Sequence, residues 1–372
     1  MSRLRVMSIF GTRPEAIKMA PLVKELEREK EIESIVCVTA QHREMLDQVL
    51  EVFGIIPDYD LDIMQDKQSI TRITTRVLDG LTKLFRYTKP DLVLVHGDTT
   101  TTFAGALAAF YSKLMIGHVE AGLRTFNKYE PFPEELNRVL TSSLADLHFA
   151  PTETSRNNLV REGIVDDKIF VTGNTVIDAL KYTLSDSYVF NDPTLRSIDF
   201  TGKRVITLTA HRRENLGEPL HDICKAVLNI IEQHGDVEVV YPVHMNPAVR
   251  ETVFKILGSQ PRIHLIEPLE LRDMHNLLNR SYFVMTDSGG LQEEVPSMGK
   301  PVLVLRNVTE RPEGVEAGTL KLVGNKKEMI VAYANELLTS QEAYRKMATA
   351  INPFGDGCAS RKIVEAILAY VS

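Results

Sequence analysis

Short apolar runs alternate with amphipathic stretches along the whole chain, and this alternation is the strongest constraint on its fold. The apolar runs have no polar-apolar alternation, which is typical of strands covered on both faces of a parallel sheet. The stretches between them have helical periodicity, as in Glu15–Arg28, Ala104–Tyr111 and Leu220–Gln233. Repeated βα units predict an α/β fold of doubly wound parallel sheets with right-handed crossovers. The predicted strands are Leu4–Phe10, Ile35–Thr39, Asp91–Val95, Met115–Val119, Leu147–Ala150, Ile169–Val171, Val205–Thr209, Val237–Tyr241, Ile263–Ile266, Phe283–Met285 and Val302–Leu305.

The length of 372 residues favours two domains. Between the two groups of strands lies a polar stretch that contains Asp192-Pro193 and has no clear period, which indicates a connecting segment. We therefore predict a first domain over residues 1–185, a linker over 186–202 and a second domain over 203–355. Residues 356–372 are predicted to form a C-terminal helix that packs back on the first domain.

Charge and cysteine content exclude several classes of function. A net charge of -7 and a pI near 5.9 argue against nucleic-acid or anionic-membrane partners. Cys37, Cys224 and Cys358 are scattered, which excludes a disulfide framework and a cysteine-based zinc site. The chain begins with a strand-like run, and no apolar run approaches the roughly 20 residues that span a bilayer. We expect a cytoplasmic protein without a metal site.

Polar residues follow the predicted strands in both halves of the chain. Ligands of open parallel sheets bind beyond the carboxyl ends of the strands, so these residues are candidates for a site. Because both halves contribute, we expect the two domains to face each other across a ligand-binding cleft. The residues are Thr12-Arg13, Gln41-His42, His96-Gly97-Asp98, Glu120, His211-Arg212, His244, Glu267 and Asp287-Ser288-Gly289-Gly290.

Gly11-Thr12-Arg13-Pro14-Glu15 leads from the first strand into a helix. Thr12 and Glu15 have the spacing of a capping box, and Pro14 suits the first helical turn. Arg13 has no such structural explanation, because a cation is disfavoured at the positive end of a helix dipole. A bound anion would account for it, and a salt bridge to a carboxylate is the alternative.

Ser288-Gly289-Gly290 also joins a strand to a helix. Paired glycines there allow backbone N–H groups to approach a phosphate, with the Ser288 hydroxyl as a further donor. Glu294 lies six residues after Ser288 and would return near the same site, where a ribose diol could use a carboxylate. The alternatives are an ordinary βα turn and a solvated helix face.

Three carboxylates are the acid/base candidates: Asp98, Glu120 and Glu134. Asp98 has the alternative role of capping the next helix, and Glu134 that of an acidic residue favoured by the helix dipole. Clustered carboxylates raise one another's pKa values into a useful acid/base range. His211-Arg212-Arg213 follows a strand of the second half and would suit a departing diphosphate.

No G-x-G-x-x-G motif occurs, so a nicotinamide cofactor of the usual kind is not predicted. The Walker A, HExxH and nucleophile-elbow patterns are also missing from the sequence.

Six segments together resemble the non-hydrolysing UDP-N-acetylglucosamine 2-epimerases of the bacterial type. The similarity extends in order over essentially the whole chain, and it implies the GT-B fold, two Rossmann-like domains that close on a nucleotide sugar. The segments are Gly11-Thr12-Arg13-Pro14-Glu15, His96-Gly97-Asp98-Thr99-Thr100-Thr101, His118-Val119-Glu120-Ala121-Gly122-Leu123-Arg124-Thr125, His211-Arg212-Arg213-Glu214-Asn215, Asp287-Ser288-Gly289-Gly290 and Glu310-Arg311-Pro312-Glu313.

The resemblance implies cofactor-free, reversible conversion of UDP-GlcNAc into UDP-ManNAc, supplying ManNAc for cell-surface polysaccharide. The family eliminates UDP to give a 2-acetamidoglucal and then adds it back with the opposite configuration at C2. Asp98, Glu120 and Glu134 match the catalytic carboxylates, and His211 matches the residue that assists at the diphosphate. The matching nucleotide-sugar contacts are Arg13, Lys18, Leu269, Met274, Ser288, Gly289, Gly290, Glu294 and Arg311, with Leu269 and Met274 at the uracil.

The family resemblance further implies activation by a second UDP-GlcNAc and a homodimer. Gln41, Gln68, Arg212 and His244 match the activator site. The sequence departs from the family pattern at three positions: Met274 replaces a frequent Phe, while Lys67 and Glu44 stand where Arg and Gln are expected.

Three rival functions share parts of this pattern. A hydrolysing epimerase would release UDP and free ManNAc, and a retaining GT-B glycosyltransferase would need an acceptor. A catalytically silent sensor would bind UDP-GlcNAc without turnover.

Overall fold

The computed structural model describes residues 3–40, 43–63, 65 and 68–371. The chain divides into two compact units, residues 1–182 with 354–372, and residues 183–353. Among the described residues, no helix is both long enough and apolar enough to cross a membrane.

The first unit contains a seven-stranded sheet in the order β3-β2-β1-β4-β5-β6-β7, with every pairing parallel. Buried side chains of α3 and α4, among them Val77 and Ala104, pack on Ile9 and Val95 of the sheet. The elements are β1 Leu4–Phe10, α1 Arg13–Arg28, β2 Ile32–Val38, α2 Arg43–Phe53, β3 Tyr59–Asp60, α3 Ile70–Thr88, β4 Leu92–His96, α4 Thr100–Tyr111, β5 Met115–Val119, α5 Glu134–Leu144, β6 Leu147–Ala150, α6 Glu153–Arg161, a 3₁₀ turn Asp166–Lys168, β7 Ile169–Val171 and α7 Thr175–Thr183.

The second unit contains a six-stranded parallel sheet in the order β10-β9-β8-β11-β12-β13. Its largest apolar cluster joins the central strands to α9, α10 and α14, with Tyr241 and Phe283 fully buried. The elements are α8 Pro193–Ser197, β8 Arg204–Thr209, a 3₁₀ turn Arg213–Asn215, α9 Glu218–Gln233, β9 Val237–Pro242, α10 Pro247–Leu257, β10 Ile263–Ile266, α11 Leu271–Arg280, β11 Phe283–Thr286, α12 Gly289–Glu294, a 3₁₀ turn Val295–Met298, β12 Val302–Val304, α13 Pro312–Glu316, β13 Leu320–Leu322, α14 Lys327–Thr339 and α15 Gln341–Ala348.

The last helix, α16 (Ala359–Val371), belongs to the first unit and packs on α1. The buried carboxylate of Asp178 accepts hydrogen bonds from the backbone N–H groups of Ala359 and Ser360, at 3.1 and 2.9 Å. Asp178 thus caps the orphan N–H groups at the start of α16. The backbone N–H of Asn174 donates to the carbonyl of Phe354 at 2.7 Å. This hydrogen bond attaches the returning chain to the first unit before α16 begins.

The predicted linker at residues 186–202 is corrected by the structure. This stretch lies within the second unit and contains α8. Phe190, Leu195 and Ile198 are buried against Val205 and Val240 of the sheet. Three apolar side chains in a mostly polar stretch make too short a run to show a period, which explains why the sequence indicated a linker.

The fold class is confirmed: each unit is a doubly wound parallel sheet of the Rossmann type. Two strands were not predicted, Tyr59–Asp60 and Leu320–Leu322. Both lie at a sheet edge and have only two or three residues, so neither presents a buried run that sequence patterns can reveal.

Candidate active site

In both units the candidate residues follow the two strands at which the sheet reverses its winding. In the first sheet these are β1 and β4, which are followed by Arg13 and Asp98. In the second sheet they are β8 and β11, which are followed by His211 and Asp287. Helices leave opposite faces of the sheet at such a point, so a crevice opens beyond the strand ends.

The turn after β1 is built around Glu15. The predicted capping box is confirmed, since the Thr12 hydroxyl accepts from the Glu15 N–H and the Glu15 carboxylate accepts from the Thr12 N–H at 2.8 Å. The same carboxylate accepts from the N–H of Gly11 at 3.0 Å and from the Thr99 hydroxyl at 2.6 Å. Burial raises the pKa of Glu15, and these hydrogen bonds oppose the rise. Glu15 therefore joins the β1–α1 turn to the β4–α4 turn.

Arg13 opens α1 and is half-buried, five residues before Lys18. Lys18 forms an ion pair with the Glu120 carboxylate, and both side chains are largely buried. Sequence reasoning assigned Lys18 to the nucleotide sugar. The structure places its ammonium group at a candidate catalytic carboxylate, and a contact with the nucleotide sugar stays a prediction.

Glu120 follows β5 with a positive φ of 61°, a conformation that is uncommon for a non-glycine residue. Its Oε2 accepts a hydrogen bond from Asn174 Nδ2 at 2.7 Å and lies 3.8 Å from His96 Nε2. Burial lowers the pKa of His96 to about 4, so this imidazole is neutral at pH 7. The Glu120 carboxylate is thus held by two donors beside a neutral ring.

Asp98 is paired with Arg138, whose Nε and Nη2 lie 2.8 and 2.6 Å from its Oδ2. Asn137 donates from Nδ2 to the Asp98 carbonyl at 2.9 Å. The alternative role of Asp98 as a helix cap is wrong, because the Thr99 side chain caps α4. The Asp98 carboxylate is therefore available for a chemical role beside Arg138.

Glu134 begins α5, as predicted, and its Oε2 is buried with no hydrogen-bond partner among the described residues. The neighbouring Glu135 has a structural role: its Oε1 accepts from the N–H groups of Thr125 and Phe126 at 3.0 and 2.9 Å, and its Oε2 pairs with Arg138 at 3.0 Å. A buried carboxylate oxygen without a donor is costly unless a ligand or water fills the place. This oxygen of Glu134 is therefore left for a water molecule or a ligand.

In the second unit, Asp287 organises the loop after β8. Its fully buried Oδ2 accepts from the N–H groups of His211 and Arg212, both at 2.8 Å, and from Asn215 Nδ2 at 3.0 Å. Its Oδ1 lies 3.5 Å from His211 Nδ1. Burial lowers the pKa of His211, and Asp287 opposes this shift. The His211 ring stacks on that of His244, with centroids 4.9 Å apart and an interplanar angle of 8°.

Two guanidinium groups converge on the glycine turn that opens α12. A Cβ atom built on Gly289 would lie 3.7 Å from Arg212 Nη2 and 4.0 Å from Arg311 Nη2. Ser288 is the N-cap, and its side chain makes no cap hydrogen bond. The buried Glu293 carboxylate forms an ion pair with Arg311. Arg212, predicted for the activator site, therefore lies with the predicted phosphate-binding residues.

The structure does not bring the other predicted residues that it describes into one cluster. Leu269 packs against the cluster that contains Val205 and Val240, whereas Met274 packs against a different cluster around Leu278. Gln68 is half-buried shortly before α3, and Gln41 lies outside the described residues. Within the described part of the chain, no three His, Cys, Asp or Glu side chains are grouped to hold a metal ion.

Comparison with known proteins decides the family. The family model for UDP-N-acetylglucosamine 2-epimerase matches residues 24–368. The UDP-N-acetylglucosamine 2-epimerase of Bacillus subtilis is 60% identical, over 99% of this chain and 96% of the relative. The chain belongs to the UDP-N-acetylglucosamine 2-epimerase family. The resemblance in the sequence is thereby confirmed, and with it the expectation of an isomerase.

Solved structures of this family have the same fold. The UDP-GlcNAc 2-epimerase of Neisseria meningitidis, bound to UDP-GlcNAc, superposes with a TM-score of 0.88 at 51% identity, over 98% of this chain and 100% of the other. The S. aureus MnaA–UDP complex also gives a TM-score of 0.88, at 54% identity over 99% and 97%. These matches confirm the GT-B class of fold.

Three residues of the candidate site were missed from the sequence: Arg138, Glu293 and His275. Each is the partner of a predicted residue that lies outside its own element. Asp287 was a candidate because it follows β11, but its hydrogen bonds to the loop after β8 were not predicted. Sequence spacing encodes none of the long-range pairs.

Proposed function

We propose that this protein converts UDP-GlcNAc and UDP-ManNAc into each other by epimerisation at C2. The observation that carries the proposal is the placement of Asp98 and Glu120, each beside a basic side chain, at the strand ends of the first unit. The arginines and the glycine turn of the second unit provide the matching diphosphate site. The Neisseria meningitidis relative bound to UDP-GlcNAc supports the choice of substrate.

The reaction proceeds by elimination and re-addition. A carboxylate takes the proton from C2, the C1–O bond breaks with its electron pair on UDP, and a C1–C2 double bond forms in 2-acetamidoglucal. In the return step an oxygen of UDP bonds to C1, and C2 receives a proton on the opposite face. The trio Asp98, Glu120 and Glu134 shares this proton transfer. No redox cofactor is required, because no atom changes its oxidation state overall.

The second unit binds the nucleotide and assists its departure. His211, Arg212 and Arg311 stabilise the charge that develops on the diphosphate, together with the backbone N–H groups of Gly289 and Gly290. Glu294 accepts from the ribose, and Leu269 and Met274 contact the uracil. Arg13 contacts the nucleotide sugar from the first unit.

Activation by a second UDP-GlcNAc is part of the proposal. Gln41, Gln68, Arg212 and His244 would bind this activator in a homodimeric protein. The stack of His244 on His211 offers a direct connection between the activator and the diphosphate, because a ligand that moves one ring moves the other. We also propose that the product supplies ManNAc to cell-surface polysaccharide.

The test is proton NMR of the purified protein with UDP-GlcNAc alone in D₂O. We expect UDP-ManNAc with deuterium at C2, in equilibrium with labelled UDP-GlcNAc. Free ManNAc and UDP would instead indicate a hydrolysing enzyme. Unchanged UDP-GlcNAc, with binding demonstrated, would contradict the proposal and favour a sensor or an acceptor-dependent transferase.

A further inference from the structure

Glu294 is one end of a buried chain of polar contacts in the second unit. His275, on α11, is 2% exposed, and its Nε2 lies 3.2 Å from Oε2 of Glu294. Its Nδ1 lies 2.7 Å from the hydroxyl oxygen of Thr183, the first residue of the unit. The imidazole therefore connects a carboxylate to a hydroxyl, and both ring nitrogens have partners.

The chemistry of the groups explains why the ring lies between them. An ionised carboxylate only accepts hydrogen bonds, so a proton on Nε2 of His275 faces Glu294 across the 3.2 Å contact. The Thr183 hydroxyl both donates and accepts, so it satisfies Nδ1 in either protonation state of the ring. Both ring nitrogens therefore have a polar neighbour of suitable chemistry.

The chain occupies one oxygen of Glu294 and directs the other. Oε1 faces the glycine turn, since a Cβ atom built on Gly290 would lie 3.4 Å from it. This turn is the one at which Arg212 and Arg311 converge. The carboxylate thus presents one acceptor oxygen next to the proposed diphosphate position.

We propose that His275 is a positioning residue that holds Glu294 so that Oε1 accepts a ribose hydroxyl of the nucleotide sugar. His275 thereby sets the preference of the protein for ribonucleotides over deoxyribonucleotides. The inference rests on the proposed function for the class of ligand. It adds a residue for which neither the sequence pattern nor the family resemblance predicted a role.

The experiment measures binding of UDP, 2′-deoxy-UDP and 3′-deoxy-UDP by calorimetry, independently of turnover. We expect the wild-type protein to bind at least one deoxy analogue about 10-fold or more weakly than UDP, the cost of one lost hydrogen bond to a charged group. His275→Leu should weaken UDP binding about 10-fold and remove most of this discrimination. His275→Gln, which keeps an N–H donor near the position of Nε2, should restore it.

Kinetic measurements and a second variant distinguish a positioning role of His275 from a purely structural one. His275→Leu should raise KM for UDP-GlcNAc while kcat changes less than about 3-fold, the pattern of lost ground-state binding. Thr183→Val removes the other end of the chain with almost no change of shape, and it should weaken UDP binding by about 2- to 5-fold. In a Glu294→Gln background, His275→Leu should have little further effect, because the two residues act as one unit.

The control variant is His264→Leu. His264 Nε2 lies 2.7 Å from Glu238 Oε2, a pair of the same chemistry near the amino ends of β10 and β9, away from the proposed site. It should leave the three affinities unchanged. The proposal would be overturned if His275→Leu lost thermal stability but kept the wild-type ratio of the affinities for UDP and its deoxy analogues. Equal binding of all three ligands to the wild-type protein would also overturn it. Failure of the wild type to bind UDP at all would overturn the proposed function itself.

Discussion

Asp98 and Glu120 are each bound to a basic side chain, Arg138 and Lys18 respectively. Such a partner fixes the direction of the carboxylate and compensates its charge in a partly buried setting. The partners also differ in kind. Arg138 contacts Asp98 through two nitrogen atoms, whereas Lys18 contacts Glu120 through its single ammonium group. Each carboxylate is therefore held by two nitrogen donors, because Asn174 Nδ2 also donates to Glu120.

The amide variants Asp98→Asn and Glu120→Gln test the role of these carboxylates. Each should lower kcat for UDP-ManNAc formation by about 10²–10⁴, because an amide neither takes nor gives the C2 proton. Circular dichroism should show an unchanged fold. Glu153→Gln, at a side chain that is 71% exposed, should retain full activity. Near-normal turnover in folded Asp98→Asn would remove Asp98 from the mechanism.

Gly122, two residues after Glu120, provides a test of stability beside the candidate site. Its φ is +92°, and an added Cβ would meet the Ser155 carbonyl oxygen at 2.2 Å. Gly163 has nearly the same φ, +89°, but open space around it. Gly122→Ala should therefore lower the free energy of unfolding by about 1–3 kcal/mol more than Gly163→Ala, since only the former adds a backbone clash. Urea titration measures both, and equal losses would mean that the clash is relieved.

At the scale of elements, the two turns at the reversal point of the first sheet depend on one carboxylate. Glu15 accepts from two backbone N–H groups after β1 and from the Thr99 hydroxyl before α4. Arg13 and Asp98 belong to these same two turns. The spacing of the candidate site residues is thus set by a residue that makes no contact with substrate in our proposal.

Glu15→Gln should destabilise the protein by about 1–3 kcal/mol. The amide keeps the shape, but its NH₂ group faces donors, so at least one buried N–H or hydroxyl loses its acceptor. Thermal or urea unfolding measures the loss. The matched control is again Glu153→Gln, an exposed first-turn acid on α6 that follows the Thr152 cap. Equal stability of the two variants would show that the Glu15 hydrogen bonds are dispensable.

At the scale of the whole molecule, three histidines form a buried row in the first sheet. His96 ends β4, His118 lies on β5 and His148 on β6, where the last two are opposite each other in register. Burial lowers the pKa values of the three to about 4, 3 and 4. The unfolded chain binds these protons near pH 6.5, so stability is complete above that pH and falls as the pH drops toward 4.

Replacing one histidine should flatten this pH dependence. We expect His148→Phe to reduce the slope of unfolding free energy against pH by about 1.4 kcal/mol per pH unit between about pH 6 and 4.5, the contribution of one proton. Urea unfolding followed by circular dichroism at several pH values measures the slope. His221→Gln, at an exposed position, should leave it unchanged. An identical slope for wild type and His148→Phe would mean that His148 binds its proton over the same pH range in the folded and unfolded protein.

The two sheets and most of the candidate site follow from the sequence, because buried strands and the turns behind them are local patterns. What the sequence lacks is the pairing of side chains across elements. Arg138 lies 40 residues from Asp98, and His275 lies 92 residues from Thr183. Such contacts depend on the order of the strands in the sheet, which decides which distant elements become neighbours. For the same reason, the sequence did not reveal that the guanidinium groups of Arg212 and Arg311 meet at Gly289.

The return of α16 to the first unit has a consequence for the order of synthesis. The ribosome delivers residues 183–353 as one uninterrupted segment, so the second unit can fold as soon as it has emerged. The first unit, although made earlier, must wait for residues 354–372, which cover α1 and satisfy the buried Asp178 carboxylate. During translation this surface of α1 stays uncovered until residues 354–372 have emerged. The unit that is synthesised first is thus completed last. It is therefore the unit that chaperones would bind in an incompletely folded state.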